Sequence, residues 1–236
     1  MTFTERGFGM SSHRLSTLLV AVVLATLSSC KAAHEEYYRA LAKVGIEKRE
    51  LLVHRVDKAK ESEADAQKQF KDALEQFQAL VGHQGGDLEK KYDKLSAEYD
   101  DSQKQADEVK DRIRKVEEVA DSLFDEWKRE IGEYQNPDYR AQSERELRET
   151  KQRYTQLLKA MQRAASAMDP VLLKFRDQVL FLKHNLNARA LGSLKGTADT
   201  LQGDVTRLVD QMQASITEAE GFIRDMKATP APAQTP

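Results

Sequence analysis

The stretch DLEKKYDKLSAEYDDSQKQADEVKDRIRKVEEVADSLFDEWKREIGEY, Asp87 to Tyr134, decides the fold. Within it Leu88, Tyr92, Leu95, Tyr99, Ser102, Ala106, Val109, Ile113, Val116, Ala120, Leu123, Trp127, Glu130 and Tyr134 follow one another at alternating steps of four and three. That alternation keeps one face of a helix turned towards its partners and predicts a heptad seam. At 1.5 Å per residue a helix of this length reaches about 70 Å. Asp87, after Gly85-Gly86, is the predicted N-cap.

The segment before it, about His34 to Val81, carries the same alternation through Leu52, Val56, Ala59, Glu63, Ala66, Phe70, Ala73, Phe77 and Leu80. Gly82-His-Gln-Gly-Gly86 interrupts it with glycines suited to a left-handed C-cap. A five-residue break between two helices of similar length predicts an antiparallel hairpin. Asn136-Pro137-Asp138 is the next turn, after which Leu147, Lys151, Tyr154, Leu158, Met161, Ala165 and Met168 continue the seam. At Asp169-Pro170 a new helix is expected, with Asp as N-cap and Pro in the first helical position; the alternative is a kink in one helix.

Val171 to Leu191 is the least polar stretch after the N-terminal segment. Leu172, Phe175, Val179, Leu182 and Leu186 hold the seam, while Leu173, Leu180 and Phe181 widen the stripe and predict burial on more than one side. Gly192, Gly196 and Gly203 weaken the helix locally before Leu201, Val205, Leu208, Met212, Ala219, Phe222 and Met226 resume it. Residues 228–236 form a Pro/Ala/Thr tail, read as extended.

The predicted fold is therefore all-α, an elongated antiparallel bundle of three or four long coiled-coil-like helices. Charged residues make up 32% of the chain and aromatics 7%, which suits long helices better than a mixed α/β enzyme. Asp87 to Tyr134 holds sixteen acids against ten bases, net −6, whereas Val171 to Gly196 holds five bases against Asp177, net +4. Opposite charge on neighbouring helices would favour one packing order.

The first thirty residues predict the compartment. Arg6, His13 and Arg14 precede an apolar run from Leu15 to Leu27, followed by small residues and Cys30; Met10 is an alternative start. This is the order of a secretory signal peptide, and thirteen positions fall short of the roughly 20 that span a bilayer. Leu27-Ser28-Ser29-Cys30 resembles the lipobox of bacterial lipoproteins. The resemblance implies cleavage between Ser29 and Cys30, a diacylglyceryl lipid on the Cys30 thiol and an acylated new terminus. Lys31 in place of Asp implies, by resemblance to known sorting rules, the periplasm-facing outer membrane, or the cell membrane where the source has only one. The domains expected are a cleaved signal at 1–29, the bundle at 30–227 and the tail at 228–236. Cys30 is the one cysteine, so no internal disulfide can form.

Catalytic chemistry is sparse. The chain has no Gly-x-Ser-x-Gly elbow, no Glu-x-x-His or His-Glu-x-x-His pair, and no cysteine left after lipidation. Glu50 and His54 could share a helix face, but one such pair is weak as a metal site. Leu191-Gly-Ser-Leu-Lys-Gly-Thr197 lacks the Lys that a phosphate loop places between Gly196 and Thr197, and no strand precedes it. Nucleic acid is not an expected partner, because the modest basic segment is interleaved with core positions. No catalytic residue, metal or cofactor is expected beyond the lipid on Cys30.

Two stretches stand out from the bland helices, Gly45 to Val56 and Phe175 to Ala190. The second sets Arg176, Lys183, His184, Asn185, Asn187 and Arg189 beside a broad apolar face. It reads as a docking surface or as a buried polar network that fixes register; ordinary packing with solvated charges is the alternative. With the lipobox ahead of them, these stretches resemble a family of bacterial envelope lipoproteins, mainly proteobacterial, classed only as a domain of unknown function. The resemblance covers nearly the whole mature chain and implies a coiled-coil-rich, periplasm-facing lipoprotein with no known activity. The expected function is a non-enzymatic structural or protein-interaction role on the envelope, with another envelope protein or its own copies as partner. The alternative is a carrier of lipid or a small ligand, using an apolar groove between helices near Leu172 to Leu186.

Overall fold

In a computed structural model the chain divides into two compact units, residues 1–47 and 48–236. The structure describes residues 36–38, 47–82 and 87–228. In the first unit, residues 36–38 are helical, and the Tyr37 and Tyr38 rings meet edge-on with centroids 5.4 Å apart. Cys30, Ser29, the apolar run of the leader, Gly85-Gly86 and the tail after Ala228 lie outside the described residues.

The second unit is an all-helical bundle: α1 (Lys48–Val81), α2 (Leu88–Glu133), α3 (Pro137–His184), the short α4 (Ala188–Ser193) and α5 (Lys195–Ala228). α1 and α3 each pack against both α2 and α5, which makes a four-helix ring. Cross-links give the antiparallel order. Lys48 at the start of α1 pairs with Glu126 near the end of α2, and the Arg49 guanidinium donates to the Met226 carbonyl near the end of α5. The Lys110 ammonium of α2 pairs with Asp169 of α3, and the Lys174 ammonium of α3 with Asp204 of α5.

α1 follows its predicted seam position for position: Leu52, Val56, Ala59, Glu63, Ala66, Phe70, Ala73, Phe77 and Leu80 are all sealed from solvent. α2 buries its seam from Leu95 to Trp127, apart from half-buried Tyr99, and adds positions beside it. Val119, Phe124 and Ile131 are buried, while Glu130 is exposed and Tyr134 half-buried. α3 shifts in the same way. Thr150, Leu157, Ala160 and Ala164 join the core, Leu158 is half-buried, and Lys151 is exposed with its ammonium 5.3 Å from the centre of the Phe124 ring. A helix buried between two neighbours needs a stripe wider than a strict heptad seam supplies. Aromatic side chains fill the added width: Phe124 meets Tyr154 edge-on at 5.3 Å, Tyr154 meets Phe222 at 6.3 Å, and Trp127 Nε1 donates to Ser143 Oγ at 2.8 Å.

Two expectations about helix ends change. Asp87 stands at the N-cap of α2 in a left-handed conformation (φ 68°), yet its carboxylate makes no capping bond. Asn136 does cap α3, its Oδ1 accepting from the Asp138 N–H at 2.8 Å and the Tyr139 N–H at 3.4 Å, with Pro137 in the first helical position. The break expected at Asp169-Pro170 is absent, because α3 runs through it. Pro170 deprives the Ser166 carbonyl of its N–H donor, but both residues are exposed and water can serve instead. Core side chains on either side, Met168, Val171, Leu172 and Phe175, stay buried across this point. The chain turns instead at Asn185 to Asn187, which leaves Leu186 half-buried in the connection, while Gly192, Gly196 and Gly203 sit within helices.

Because Pro170 costs α3 one backbone hydrogen bond while the core residues on both flanks stay buried, Pro170→Ala should stabilise the bundle. Isolated helices put the Pro-to-Ala difference at about 3 kcal/mol; a gain of about 1–3 kcal/mol is expected in urea unfolding, and no gain would mean that proline strain is absent here.

Candidate functional site

The residues singled out in the sequence fall at one end of the bundle but do different jobs. Arg176, Lys183 and His184 are exposed on α3, and Arg189 is exposed on α4. Asn185 and Asn187 are turn residues: Asn185 ends α3, its Nδ2 donating to the Phe181 carbonyl at 2.9 Å, and Asn187 caps α4, its Oδ1 accepting from the Ala190 N–H at 3.0 Å. The polar network reading is thereby replaced by helix capping.

Beside those cations lies the main departure from expectation. Leu173, Leu180 and Phe181, predicted to widen the buried stripe, point outwards and are 51%, 54% and 41% exposed. Leu172, Phe175, Val179 and Leu182 already fill the inward face. At 100° per residue, Leu173, Asp177, Leu180, Phe181 and His184 gather on the opposite side, flanked by Arg176 and Lys183. The charges are also partnered differently from the expected order. Lys174 pairs with Asp204 of α5, which Arg207 also engages, and Arg176 lies 3.9 Å from its neighbour Asp177. Acidic α2 meets α3 at Gln162, Ser143, Tyr154, Lys151 and Asp169.

Two clefts between α3 and α5 border this face. One, of about 250 Å³, is lined by Pro170, Lys174, Asp204, Arg207 and Gln211 among others; the second, of about 500 Å³, by Lys174, Gln178, Ser193, Thr197 and Thr200. Ser193 and Thr200 donate their hydroxyls to their own helices, at the carbonyls of Ala190 and Gly196. Both clefts have mixed linings, the first including Ala167, Val171 and Leu208 and the second Leu201.

One buried group was in the predicted seam without being recognised as chemistry. Glu63 of α1 is 0% exposed. Its Oε1 accepts from Ser215 Oγ of α5 at 3.0 Å, and its Oε2 has no partner. Burial pushes its carboxyl up from 4.5 to about 8, and the Ser215 hydrogen bond only partly opposes this. A carboxyl at a heptad core position was the available signal; heptad counting records the position and ignores the ionisation. Elsewhere Glu50 and His54 are both exposed, and among the described residues no group of three or more His, Cys, Asp or Glu could hold a metal ion.

Glu63 makes stability depend on pH. The unfolded carboxyl titrates near 4.5 and the folded one near 8, so between these values the folded chain holds the extra proton. Its contribution is complete below the lower value and is lost as pH rises through the upper one, by at most roughly 5 kcal/mol. Urea unfolding should therefore show falling stability between about pH 5 and about pH 8, a slope that Glu63→Gln removes; an unchanged slope in the variant would place the titration elsewhere.

A family model described as a protein of unknown function (DUF2959) matches residues 37–226. No curated protein and no solved structure matches the chain.

Proposed function

The chain belongs to the DUF2959 family, whose description carries no activity, and we propose that it is a membrane-anchored lipoprotein with a non-enzymatic structural or protein-interaction role in the cell envelope. The observation that carries the contact part of this reading is the outward face of α3. Leu173, Leu180 and Phe181 lie in water beside Arg176 and Lys183, although the inward side of the same helix is already filled. Adjacent exposed apolar side chains rimmed by charge mark a surface that another component covers.

The anchoring part rests on Leu27-Ser28-Ser29-Cys30 and the apolar run before it. No helix among the described residues is long and apolar enough to cross a membrane. Attachment in this reading falls to the lipid on Cys30, where two or more acyl chains at about 0.8 kcal/mol per buried CH₂ hold firmly. The periplasmic side of the outer membrane, implied by Lys31, is the address we propose. The reading is non-enzymatic because the sequence supplies no nucleophile elbow, phosphate loop or paired metal ligands.

The carrier alternative has less support. Leu172, Phe175, Val179 and Leu182, which would line its groove, are packed in the core.

Two measurements separate the parts. Cys30→Ser should move the protein out of the washed membrane fraction or leave it unprocessed; unchanged fractionation and processing would end the lipoprotein reading. In cells, photo-crosslinkers at Leu173 and Leu180 should give adducts that the same probe at exposed Thr155 does not, and equal yields at all three positions would end the contact-face reading.

A further inference from the structure

We propose that the outward face of α3 from Leu173 to His184 binds the surface of an anionic phospholipid bilayer, with its apolar side chains entering the interface and its cations meeting lipid phosphates. This rests on the contact-face reading above and supplies the chemistry of what is contacted.

Shape, size and charge each bear on the occupant. The exposed side chains sit on the outside of one helix whose other side is core, so together they form a ridge. A protein partner of ordinary strength covers about 800 Å² on each side. Three side chains, each about half exposed, offer on the order of a few hundred Å² of apolar surface. A fluid lipid interface has no such minimum and moulds to a ridge. Leu and Phe beside Lys and Arg is also the composition by which interfacial helices bind membranes.

Charge points the same way and argues against a second copy. Val171 to Gly196 carries five bases against the single acid Asp177. Arg176 and Lys183 flank the ridge, and Arg189 and Lys195 are exposed at the same end of the bundle. Asp177 stands beside Arg176, and Lys174 is committed to Asp204. Within the ridge itself, Leu173 to His184, three bases stand against one acid, so ridge against ridge would set net +2 on net +2. The other large apolar side chains exposed among the described residues are Tyr37 and Tyr139; Tyr139 lies at the opposite end of α3, and Tyr37 belongs to the other unit. The occupant that fits is anionic and accepts apolar insertion, and each cation held near such a surface strengthens binding by roughly fivefold.

The test uses the full-length chain with Cys30→Ser, so that an environment-sensitive fluorophore attached through Asp177→Cys is the sole label. The probe surfaces are vesicles of phosphatidylcholine alone and of equimolar phosphatidylcholine and phosphatidylglycerol. Blue-shifted emission is expected on the anionic vesicles and not on the neutral ones. Arg176→Glu with Lys183→Glu should weaken the response about tenfold or more, and Leu180→Ser with Phe181→Ser should abolish it, with helix content unchanged because all four residues are exposed. No shift on the anionic vesicles, or a shift that survives both double substitutions, overturns the proposal. If a crosslinker at Leu180 in cells then captures one discrete protein, the contact face stands with a protein as its partner. If it captures neither lipid nor protein, the contact-face reading falls as well.

Discussion

Each of the four long helices carries one apolar stripe, and each stripe is closed by two neighbours. Burying a single Phe or Leu side chain is worth about 1.5–3 kcal/mol, and the core includes Phe70, Phe77, Phe175, Leu52, Leu80, Leu157, Leu182, Leu201 and Leu208, all sealed. Two of the ion pairs between helices, Lys110 with Asp169 and Arg153 with Asp225, join side chains that are a third or more exposed. Pairs of that kind contribute about 0–1 kcal/mol. The seam therefore holds the fold and the charges trim it. The same constraint explains why α3 tolerates Pro170. One lost hydrogen bond on the wet side is small beside the core contacts on both flanks.

Closure by two neighbours also decides which departures from a heptad occur. α1 buries every position of its seam, with small Ala59, Ala66 and Ala73 alternating with larger side chains, and adds Leu51, Ser62 and Val81 beside it. The later part of α2 and the middle of α3 are wider, since Phe124 and Tyr154 must meet each other while Tyr154 also reaches Phe222 on α5. There a count of four and three drifts off the buried face. It assigns Glu130, Lys151 and Leu158 where Ile131, Thr150 and Leu157 lie.

Fold class, helix number and the Asn136-Pro137 turn were legible because they depend on local periodicity and capping. The contact face was legible only in part. Periodicity shows that a face is apolar and is silent on whether another helix covers it, so Leu173, Leu180 and Phe181 read as extra core. Asn185 and Asn187 read as a polar cluster because the helix end at His184 was not anticipated; with that end in place, an Asn three residues before Ala190 is an ordinary cap. Pro170 was assigned to a break because local rules see the missing N–H and cannot see that Met168 and Phe175 stay buried on either side of it.

Two features break the inside-apolar, outside-polar pattern most plainly. Glu63 puts a carboxyl in the core against Ser215, and Leu173, Leu180 and Phe181 put hydrocarbon in water. Neither helps the fold. A well-packed apolar residue in place of Glu63 would spare the desolvation of a carboxyl, and polar residues on the outer face of α3 would leave its inward packing untouched. Where a sequence is consistent at every other level, such violations are where selection for something other than stability is expected. The two differ in kind. A buried carboxyl acts only through the protein around it, by fixing how α1 meets α5 and by linking that contact to pH. An exposed ridge acts only through something outside the chain. The ridge is therefore the feature from which a function can be read, and the carboxyl is a property of the scaffold that presents it.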